Sequence, residues 1–506
     1  MESMTAQPEA RDAGYRKRRN KRVTSAVLAL ILAAAAIVGA VGIFRSGGGE
    51  VSAAPKIAPT ITTSNAADLQ HAWSVSTGER NFIADGHQLF IVRPGLVEAF
   101  PEACVPSGGT CPPDWTGRIA PPGPDPADRL YGVVDGVVYA SSGFGGLFAF
   151  PADCGAGGAV CAPLWSAQIG EHEVVRSVAV SGGVVFAGAT DGYIRAYSTD
   201  CSGRCDPTWI GDVAGAWRDK ANYPRFPVAV SADGGVVAAT TGFFTFQGTT
   251  CTGDACHLHG VLATFGADCA TGGATCAARW TYTTARTFTA GPVISDGVVL
   301  VEDAGVLAFP AECASPCVPE WKIPVQDSGT PVVADGVVYV TGSKCKDVGG
   351  GQACGSSSVG AYPLHCVPSG GTCAPIWTGP GVGTAVVADG AVVAGGGGWW
   401  SNDPGGAVYP VGCGTGGAEC EPRWTPPGSA PVVSNGLLYF GGTSMQIFDL
   451  ACVLRQPHCK PLWVGPKGTA WFPIATDTAL YAQDLKTRAV STFTVPADAA
   501  GSSSGA

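Results

Sequence analysis

Cysteine is the residue whose number and spacing in this chain point most directly to chemistry. The 506 residues include 20 Cys, and eight of them lie four positions before a tryptophan. Each of these eight has a second Cys seven or four positions upstream, and two further pairs stand apart from any such Trp. The ten pairs are Cys104/Cys111, Cys154/Cys161, Cys201/Cys205, Cys251/Cys256, Cys269/Cys276, Cys313/Cys317, Cys345/Cys354, Cys366/Cys373, Cys413/Cys420 and Cys452/Cys459.

The spacing of these pairs predicts local disulfides that close hairpin loops. Structural zinc needs four N or S ligands that converge on one point, whereas these pairs are spread along the chain, one per repeat. Neighbour pairing accounts for every Cys and implies an oxidising compartment. We therefore predict ten disulfides and assign no catalytic, cofactor-binding or metal-binding residue.

Two loops hold other residues that could do chemistry. His257 and His259 follow Cys256 closely and could contribute to a metal site, although a disulfide-closed loop explains the same residues. Trp399 and Trp400, in GGGGWWSNDPGG, are predicted to form a contact surface for a glycan or a peptide; the alternative is packing over a neighbouring unit. Trp217 interrupts another unit in a similar way and is a weaker candidate.

The elements that must position these residues follow from the repeat. Asp-Gly or Asn-Gly between β-branched runs, as in VVDGVVYAS at 133 and SNGLLYFG at 434, predicts tight hairpins. An aromatic residue lies four positions before the first Cys of each unit, and successive motif Trp residues from Trp73 onward are 39 to 71 residues apart. Four short strands per unit at this period are typical of a β-propeller blade.

The number of blades follows less directly from the sequence. Eight units end at the eight motif Trp residues, and a cysteine-free segment follows from Gly468. This last segment needs an outer strand, which the region around Trp73 would supply and so close the ring. We predict an all-β, eight-bladed propeller with one degenerate unit, within a range of seven to nine; literal counting gives nine.

The N-terminus predicts the compartment. Residues 23–44 form an uncharged apolar run preceded by six cations between Arg16 and Arg22, which predicts one transmembrane signal anchor with its N-terminus in the cytoplasm. A cleaved signal peptide ending near Ser52-Ala53-Ala54 is the alternative. The predicted organisation is a basic tail (1–22), an anchor (23–44), a stalk (45–60), a propeller ectodomain (61–498) and a disordered tail (499–506).

Charge limits the partners of the exterior part. The whole chain has a net charge of −10, and its first 22 residues hold seven cations and three anions, which leaves −14 for the rest. Phosphate binding needs a cationic surface, so we predict no nucleic-acid partner. Calcium, cationic peptides and uncharged surfaces stay open.

The repeat resembles the quinoprotein-type (PQQ-like) β-propeller repeat. ATDGYIRAY at 189–197 and FGGLFAF at 144–150 follow that family's strand layout, and the resemblance covers about residues 70–495. It implies a propeller in a superfamily that includes quinone-dependent dehydrogenases, sensor ectodomains and a scaffold of barrel assembly. The dehydrogenases have two adjacent Cys beside the cofactor and haem needs Cys-x-x-Cys-His, and this sequence contains neither.

The sequence thus predicts a non-catalytic, membrane-anchored binding or scaffolding protein. We expect no PQQ or haem, one helix in the plasma membrane, a propeller in the periplasm or outside the cell, and an unidentified protein or glycan partner. The alternatives are an envelope enzyme, either a quinone-linked oxidoreductase or a polysaccharide-active protein, and a sensor ectodomain that works with a separate signalling partner.

Overall fold

The structure is a computed structural model that describes most of the chain from residue 58 onward. The described ranges are 58–77, 81–104, 111–119, 128–170, 173–215, 223–233, 235–246, 256–288, 290–314, 316–325, 329–347, 352–367, 371–395, 406–426, 429–468, 471–484 and 486–497. All of them belong to one compact unit, Pro55–Ala506.

The described strands form nine sheets. We call blades 1 to 9, in chain order, the stretches of chain that supply the main antiparallel strands of these sheets. A short 3₁₀ turn, Ala66–Asp68, precedes strand β1 (Gln70–Ser76). Blade 1 contains β2 (Phe82–Asp85), β3 (Gln88–Arg93), β4 (Leu96–Pro101) and β5 (Trp115–Arg118). Blade 2 contains β6 (Arg129–Val134), β7 (Val137–Ser141), β8 (Gly146–Pro151) and β10 (Trp165–Gln168), with β9 (Ala159–Cys161) between the last two.

Blades 3 to 6 repeat this order. Blade 3 contains β11 (Val175–Ser181), β12 (Val184–Ala189), β13 (Tyr193–Ser198), β14 (Gly203–Arg204) and β15 (Trp209–Asp212). Blade 4 contains β16 (Tyr223–Asp233), β17 (Val236–Phe246), β18 (Cys256–Gly266), β19 (Ala274–Cys276) and β20 (Trp280–Thr284). Blade 5 contains β21 (Val293–Ser295), β22 (Val298–Glu302), β23 (Val306–Pro310) and β24 (Trp321–Ile323), and blade 6 contains β25 (Val332–Ala334), β26 (Val337–Asp347), β27 (Gln352–Pro363), β28 (Gly371–Thr372) and β29 (Trp377–Pro380).

Blades 7 to 9 complete the chain. Blade 7 contains β30 (Thr384–Ala388), β31 (Ala391–Gly395), β32 (Ala407–Pro410) and β33 (Ala418–Glu419), with a bridge from Val408 to Trp424 as its outer edge. Blade 8 contains β34 (Ser429–Ser434), β35 (Leu437–Gly441), β36 (Ser444–Asp449), helix α1 (Leu450–Arg455) and β37 (Trp463–Lys467). Blade 9 contains β38 (Trp471–Ala475), β39 (Ala479–Asp484) and β40 (Ala489–Thr494), and β1 is its outer strand.

We call the four main strands of a blade A to D from first to last. The A–B turns lie on one face of the molecule, the A–B face, and the B–C turns lie on the opposite B–C face, because successive strands are antiparallel. Several A–B turns are Asp-Gly pairs in which both residues have positive φ, such as Asp135 (51°) and Gly136 (73°). This is the two-residue hairpin turn that the Asp-Gly and Asn-Gly sequences predicted.

The core lies between the blades. Nine clusters of buried apolar side chains each join two consecutive blades, and the last cluster joins blade 9 to blade 1. Eight of the nine D-strand Trp residues pack on the C-strand aromatic of the following blade, as Trp115 does on Phe150 (ring centroids 5.8 Å apart) and Trp377 on Tyr409 (5.1 Å). The predicted β-propeller is therefore confirmed, and its blades form a closed ring.

The prediction of eight blades is wrong, because the cysteine-free C-terminal segment is a complete blade. Its strand β39 buries Leu480 against blade 8 and Tyr481 against blade 1. Strand β1 pairs with β40 from Gln70↔Thr494 to Ser76↔Ala489, so the ring closure predicted around Trp73 is confirmed. The missing disulfide loop made this unit look degenerate, although its two buried faces match those of the other blades.

The predicted transmembrane segment, 23–44, lies outside the described residues, as do the basic tail 1–22, the tail 499–506 and most of the stalk. Within the described ranges, no helix is both long and apolar enough to cross a membrane. The fold class is therefore corrected to a nine-bladed, all-β propeller without a spanning helix in its described part.

Candidate functional site

The cysteine loops are the first predicted sites to place. Cys251 lies outside the described residues, and the side chains of Cys256, Cys345 and Cys354 are not described. The backbone register sets Cys345 directly opposite Cys354 in the hairpin of blade 6. The other eight pairs are disulfides in the structure, one in each of blades 1 to 8: Cys104–Cys111, Cys154–Cys161, Cys201–Cys205, Cys269–Cys276, Cys313–Cys317, Cys366–Cys373, Cys413–Cys420 and Cys452–Cys459.

The prediction of a hairpin loop is wrong for the pair that ends at Cys459. Cys452 lies inside helix α1, and Cys459 follows the end of that helix, so this disulfide closes a helical turn. The segment between the two Cys, VLRQPH, contains no glycine, whereas loops such as VPSGGT and GTGGAE do. Asp449 caps the helix by accepting from the N–H of Ala451 (2.8 Å). The disulfide is thus as predicted, and the element that it closes is corrected to a helix.

For Cys111, loop closure is only part of the role. Its disulfide to Cys104 is present, but residues 105–110 between them lie outside the described residues. Cys111 itself is 5% exposed and packs with Trp73 and Phe100 in the core between blades 9 and 1. Cys111 is therefore a core residue as well as a disulfide partner. Its place at the end of a glycine-rich loop did not indicate this.

Five of the cysteine loops pair with the outer strand of the blade before their own. The loop of blade 2 forms β9, which pairs in parallel with β5 of blade 1, and β14, β19, β28 and β33 repeat this pairing on blades 2, 3, 5 and 6. The N–H of Cys205 donates to the carbonyl of Ser166 (2.7 Å), and the N–H of Cys420 donates to Thr378 (2.6 Å). The loops thus add a fifth strand that covers an outer edge, which the sequence did not predict.

Blade 9 has no cysteine loop of its own, and the N-terminal segment occupies the corresponding position. Ile61 donates its N–H to the carbonyl of Asp477 (2.7 Å) and is fully buried between blades 8 and 9. The indole N–H of Trp463 in blade 8 donates to Leu69 (3.0 Å), where other D-strand Trp residues reach the start of a cysteine loop, as Trp115 reaches Ala152 (2.9 Å). Both described ends of the chain therefore lie on the A–B face, since β40 also runs toward it.

The A–B face carries a ring of acidic turn residues. Aspartates occupy the A–B turns of seven blades, and an asparagine occupies one more: Asp85, Asp135, Asp233, Asp296, Asp335, Asp389, Asp477 and Asn435, all exposed. Some of them join neighbouring turns, since Asp389 Oδ2 accepts from the N–H of Gly436 (2.9 Å) and Asn435 Nδ2 donates to Asp477 Oδ1 (3.2 Å). The Asp-Gly repeat in the sequence signalled these turns, but not that their carboxylates form one rim.

A buried carboxylate lies at the seam between blades 9 and 1. Glu102 is 2% exposed, and its Oε2 accepts from the hydroxyl of Thr478 and contacts Nδ1 of His87 (3.1 Å). Burial raises the pKa of Tyr481 in the same interface, and the negative charge of Glu102 raises it further. The other units have Ala, Thr, Leu or Val two positions before the first Cys, so a charged residue there was a readable signal that the sequence analysis missed.

The B–C face differs from blade to blade. Its turns span two to four residues in blades 1, 2, 3, 5, 8 and 9. In blade 4, β17 and β18 have 11 residues each and stay paired out to Phe246↔Cys256; in blade 6, β26 and β27 stay paired out to Asp347↔Gln352. In blade 7, 11 residues separate β31 from β32. These long hairpins and connections all leave the ring on the B–C face.

The short turns of this face are fixed by buried polar contacts. Asp128, which is 5% exposed, accepts from the N–H of Gly95 (2.6 Å) in the B–C turn of blade 1 and from the N–H of Gly143 (2.9 Å) in that of blade 2. Thr341 of blade 6 donates its hydroxyl to the carbonyl of Gly383 at the start of blade 7. Phe144, half exposed, stands in the turn that Asp128 holds.

The remaining predicted site residues are not brought together. Trp399, Trp400 and Trp217 lie outside the described residues. His257 and His259 share one face of β18, two positions apart, and the side chain of His257 is not described. Within the described ranges, no three His, Cys, Asp or Glu side chains are grouped so that they could hold a metal ion.

The fold defines the class of protein as a nine-bladed β-propeller stapled by disulfides. No protein-family model matches the chain, and no curated protein matches it. Solved structures similar to it include BamB from Moraxella catarrhalis (15% identity, 72% of this chain and 96% of that one, TM-score 0.42) and the Dos1 propeller (10%, 85% and 96%, 0.44). Sqt1 from Saccharomyces cerevisiae is another (10%, 87% and 100%, 0.42). Assignment to the PQQ-like family stays a prediction, and the fold assignment rests on the strand topology.

Proposed function

We propose that this protein is a non-catalytic binding or scaffolding module that works outside the cytoplasm and binds a protein or glycan partner through its B–C face. The observation that carries the proposal is the confinement of the long hairpins to that face. In repeat folds, insertions in individual repeats map to loops on one face, which is often the binding face. A rigid ring that presents variable loops is the arrangement that binding proteins use.

The opposite face supports the same choice. The N-terminal segment crosses the A–B face at Asp477, and β40 ends there, so the chain itself occupies part of that surface. The B–C face is the one from which the hairpins of blades 4 and 6 project. The hydrogen bonds of Asp128 hold neighbouring turns in place, which lowers the entropy lost when a partner binds.

The disulfides support the proposed compartment. Eight local disulfides are present in the described residues, and such bonds persist in oxidising environments. We propose the periplasm or the cell exterior as the site of action. Digestion of intact cells with a membrane-impermeant protease tests this. A propeller that stays protected both in intact cells and in cells with a permeabilised outer layer would contradict the proposed compartment.

The binding face is tested by trimming its two long hairpins. In blade 4, Phe243 and His259 are opposite each other in the register. Replacement of 244–258 by Asn-Gly would link them through a two-residue turn. In blade 6, replacement of 344–356 by Asn-Gly would join the opposed pair Ser343 and Ser357. Each trim removes both Cys of one predicted pair, so no Cys is left without its predicted partner.

Crosslinking in the source cells then compares the trimmed and unaltered proteins. We expect the unaltered protein to give a defined crosslinked species that either trim weakens at least tenfold while the melting temperature of the ring stays unchanged. A matched control replaces Asp135 by Asn on the A–B face and should leave the species intact. The proposal fails if both trims crosslink as well as the unaltered protein, or if only the A–B variant loses the species.

A further inference from the structure

We infer that the disulfide Cys452–Cys459 of blade 8 is a site of reversible exchange with external thiols, whereas the other seven described disulfides stay closed. This site lies on the A–B side of blade 8, where helix α1 follows strand β36, and does not depend on the proposed role of the B–C face. Three features set it apart: the exposure of its sulfurs, the charges beside them and the element that it closes.

Burial separates this disulfide from the others. Cys452 and Cys459 are both partly exposed, and all of their loop lies within the described range 429–468. Residues 455–458 and Lys460, next to Cys459, are exposed. In the other seven disulfides the second Cys is only 1% to 5% exposed: Cys111, Cys161, Cys205, Cys276, Cys317, Cys373 and Cys420.

Exchange requires one sulfur that accepts a thiolate and one that leaves as a thiolate. The thiolate of an external dithiol would attack Sγ of Cys452, and the electron pair of the broken S–S bond would leave on Cys459. The second thiolate of the dithiol then attacks the dithiol's own sulfur in the mixed disulfide, which releases Cys452. Two electrons pass from the dithiol, which becomes a disulfide, and its two protons go to Cys452 and Cys459.

The leaving sulfur decides which disulfide can react. In the other seven loops, attack on the first Cys would expel a thiolate into an interblade core, such as the one in which Cys373 lies with Trp321 and Leu364. A thiolate without solvation is unfavourable, so a buried Cys is a poor leaving group. Cys459 packs only against the edge of the core between blades 7 and 8, where its thiolate would keep contact with water.

Basic residues surround the leaving sulfur. His458 and Lys460 flank Cys459 in the sequence, and Arg455 lies four positions before it; all three are exposed. Nε of Arg455 donates to the carbonyl of Ala451 (3.0 Å), so this side chain lies along the helical turn that the disulfide closes. Positive charge near a sulfur stabilises the thiolate, and a stabilised thiolate leaves faster.

Helix α1 has contacts that would hold it when the disulfide opens. Leu450 (2% exposed) and Val453 (0%) pack in one buried cluster with Trp424 of blade 7. In blades 3 and 7, by contrast, the second Cys donates its N–H to the outer strand of the preceding blade, from Cys205 and from Cys420. The blade 8 pair can therefore open and close again while the blade edges stay covered.

The experiment treats the whole native protein with dithiothreitol, traps free thiols with an alkylating agent and locates them by peptide mass spectrometry. Cys452 and Cys459 should be alkylated at least about tenfold faster than the Cys residues of the other seven described disulfides, with the circular dichroism of the ring unchanged. Reduced glutathione, used alone, should form its mixed disulfide on Cys452. Earlier alkylation of any of the other seven pairs, or alkylation of all eight together, would overturn the inference.

Charge variants test the role of the basic residues. His458→Gln combined with Lys460→Gln removes both flanking groups and should slow the opening of Cys452–Cys459 about three- to tenfold. Arg204→Gln is the matched control, because it removes a cation beside the buried Cys205 and should leave the slow opening of Cys201–Cys205 unchanged. Equal opening rates in the double variant and the unaltered protein would contradict the assigned leaving group.

Replacement of both Cys452 and Cys459 by Ser tests whether this pair is needed as a staple. The variant should keep the circular dichroism of the ring and lose the fast alkylation. A ring that unfolds without this disulfide would overturn the inference, because the pair could not then open in the native protein.

Discussion

At the residue scale, the motif tryptophans and Trp73 join consecutive blades by packing, and six of these nine also do so by one indole hydrogen bond. Trp377 is fully buried, packs on Tyr409 of the next blade and donates its indole N–H to the carbonyl of Val411 (3.1 Å). The sequence shows that these residues recur in every unit with a Cys pair. It did not show that they act between blades, because their partners lie in the next repeat.

Replacement of Trp377 by Phe should lower the free energy of unfolding by about 1–3 kcal/mol. The change removes ring volume and takes away the donor of a part-buried hydrogen bond to the carbonyl of Val411. Urea unfolding followed by far-UV circular dichroism measures the loss. Phe144→Leu, at a half-exposed ring, is the control and should change stability by less than about 0.5 kcal/mol. Equal losses would contradict the assigned role.

Buried tyrosines should make the fold sensitive to alkali. Burial raises the pKa of Tyr131 and of Tyr197 to about 12, above the ordinary value of 10 for an unfolded chain. Because the neutral form is favoured in the folded state, this stability is present below pH 10 and is lost as the pH rises from 10 toward 12. Absorbance at about 295 nm and circular dichroism should therefore change together in that window. Tyrosinate absorbance that rises fully before unfolding would contradict the burial.

At the element scale, the cysteine loop was predicted as a local hairpin but covers a neighbouring blade. The spacing of Cys366 and Cys373 defines the disulfide. The pairing of β28 with β24 depends on where the previous blade lies, and no local pattern contains that information. For the same reason the charged position at Glu102 could be seen in the sequence, whereas its contact with Thr478 could not.

Replacement of both Cys366 and Cys373 by Ser should destabilise blade 5 as well as blade 6. Opening an eight-residue loop costs about 2.5 kcal/mol in the chain-entropy account. Hydrogen exchange should rise at Lys322 in β24, because the N–H of Cys373 bonds its carbonyl and holds the covering strand there. The control is the pair Cys452 and Cys459 of blade 8, and its replacement should leave exchange at Lys322 unchanged. Unchanged exchange at Lys322 after replacement of Cys366 and Cys373 would contradict the assignment.

At the scale of the whole molecule, ring closure was the part of the architecture that the sequence predicted best. The C-terminal segment lacked an outer strand of its own, and the region around Trp73 was correctly predicted to supply it. The blade count was harder, since the last unit lacks the cysteine signature and its blade character shows only in the residues that it buries on both faces.

Deletion of β1 should open the ring. Without Gln70–Ser76, strand β40 loses its partner and Phe100 loses the packing of Trp73 (ring centroids 5.9 Å apart). An uncovered strand edge beside an exposed core favours association between molecules. We expect a fall in melting temperature and aggregation in light scattering. Deletion of 499–506 is the control, and a deletion of β1 that stays monomeric and equally stable would contradict the closure.

The overlap between consecutive blades has a consequence for how such a protein can change over generations. Each repeat supplies the tryptophan that inserts into the unit after it, and most repeats also supply the loop that covers the unit before it. A duplicated or deleted repeat therefore brings or removes both halves of a compatible joint, and its new neighbours meet the same surfaces as the old ones. Blade number can vary by whole units without the design of a new interface, and nine blades is one point in a series that gene duplication can extend or shorten.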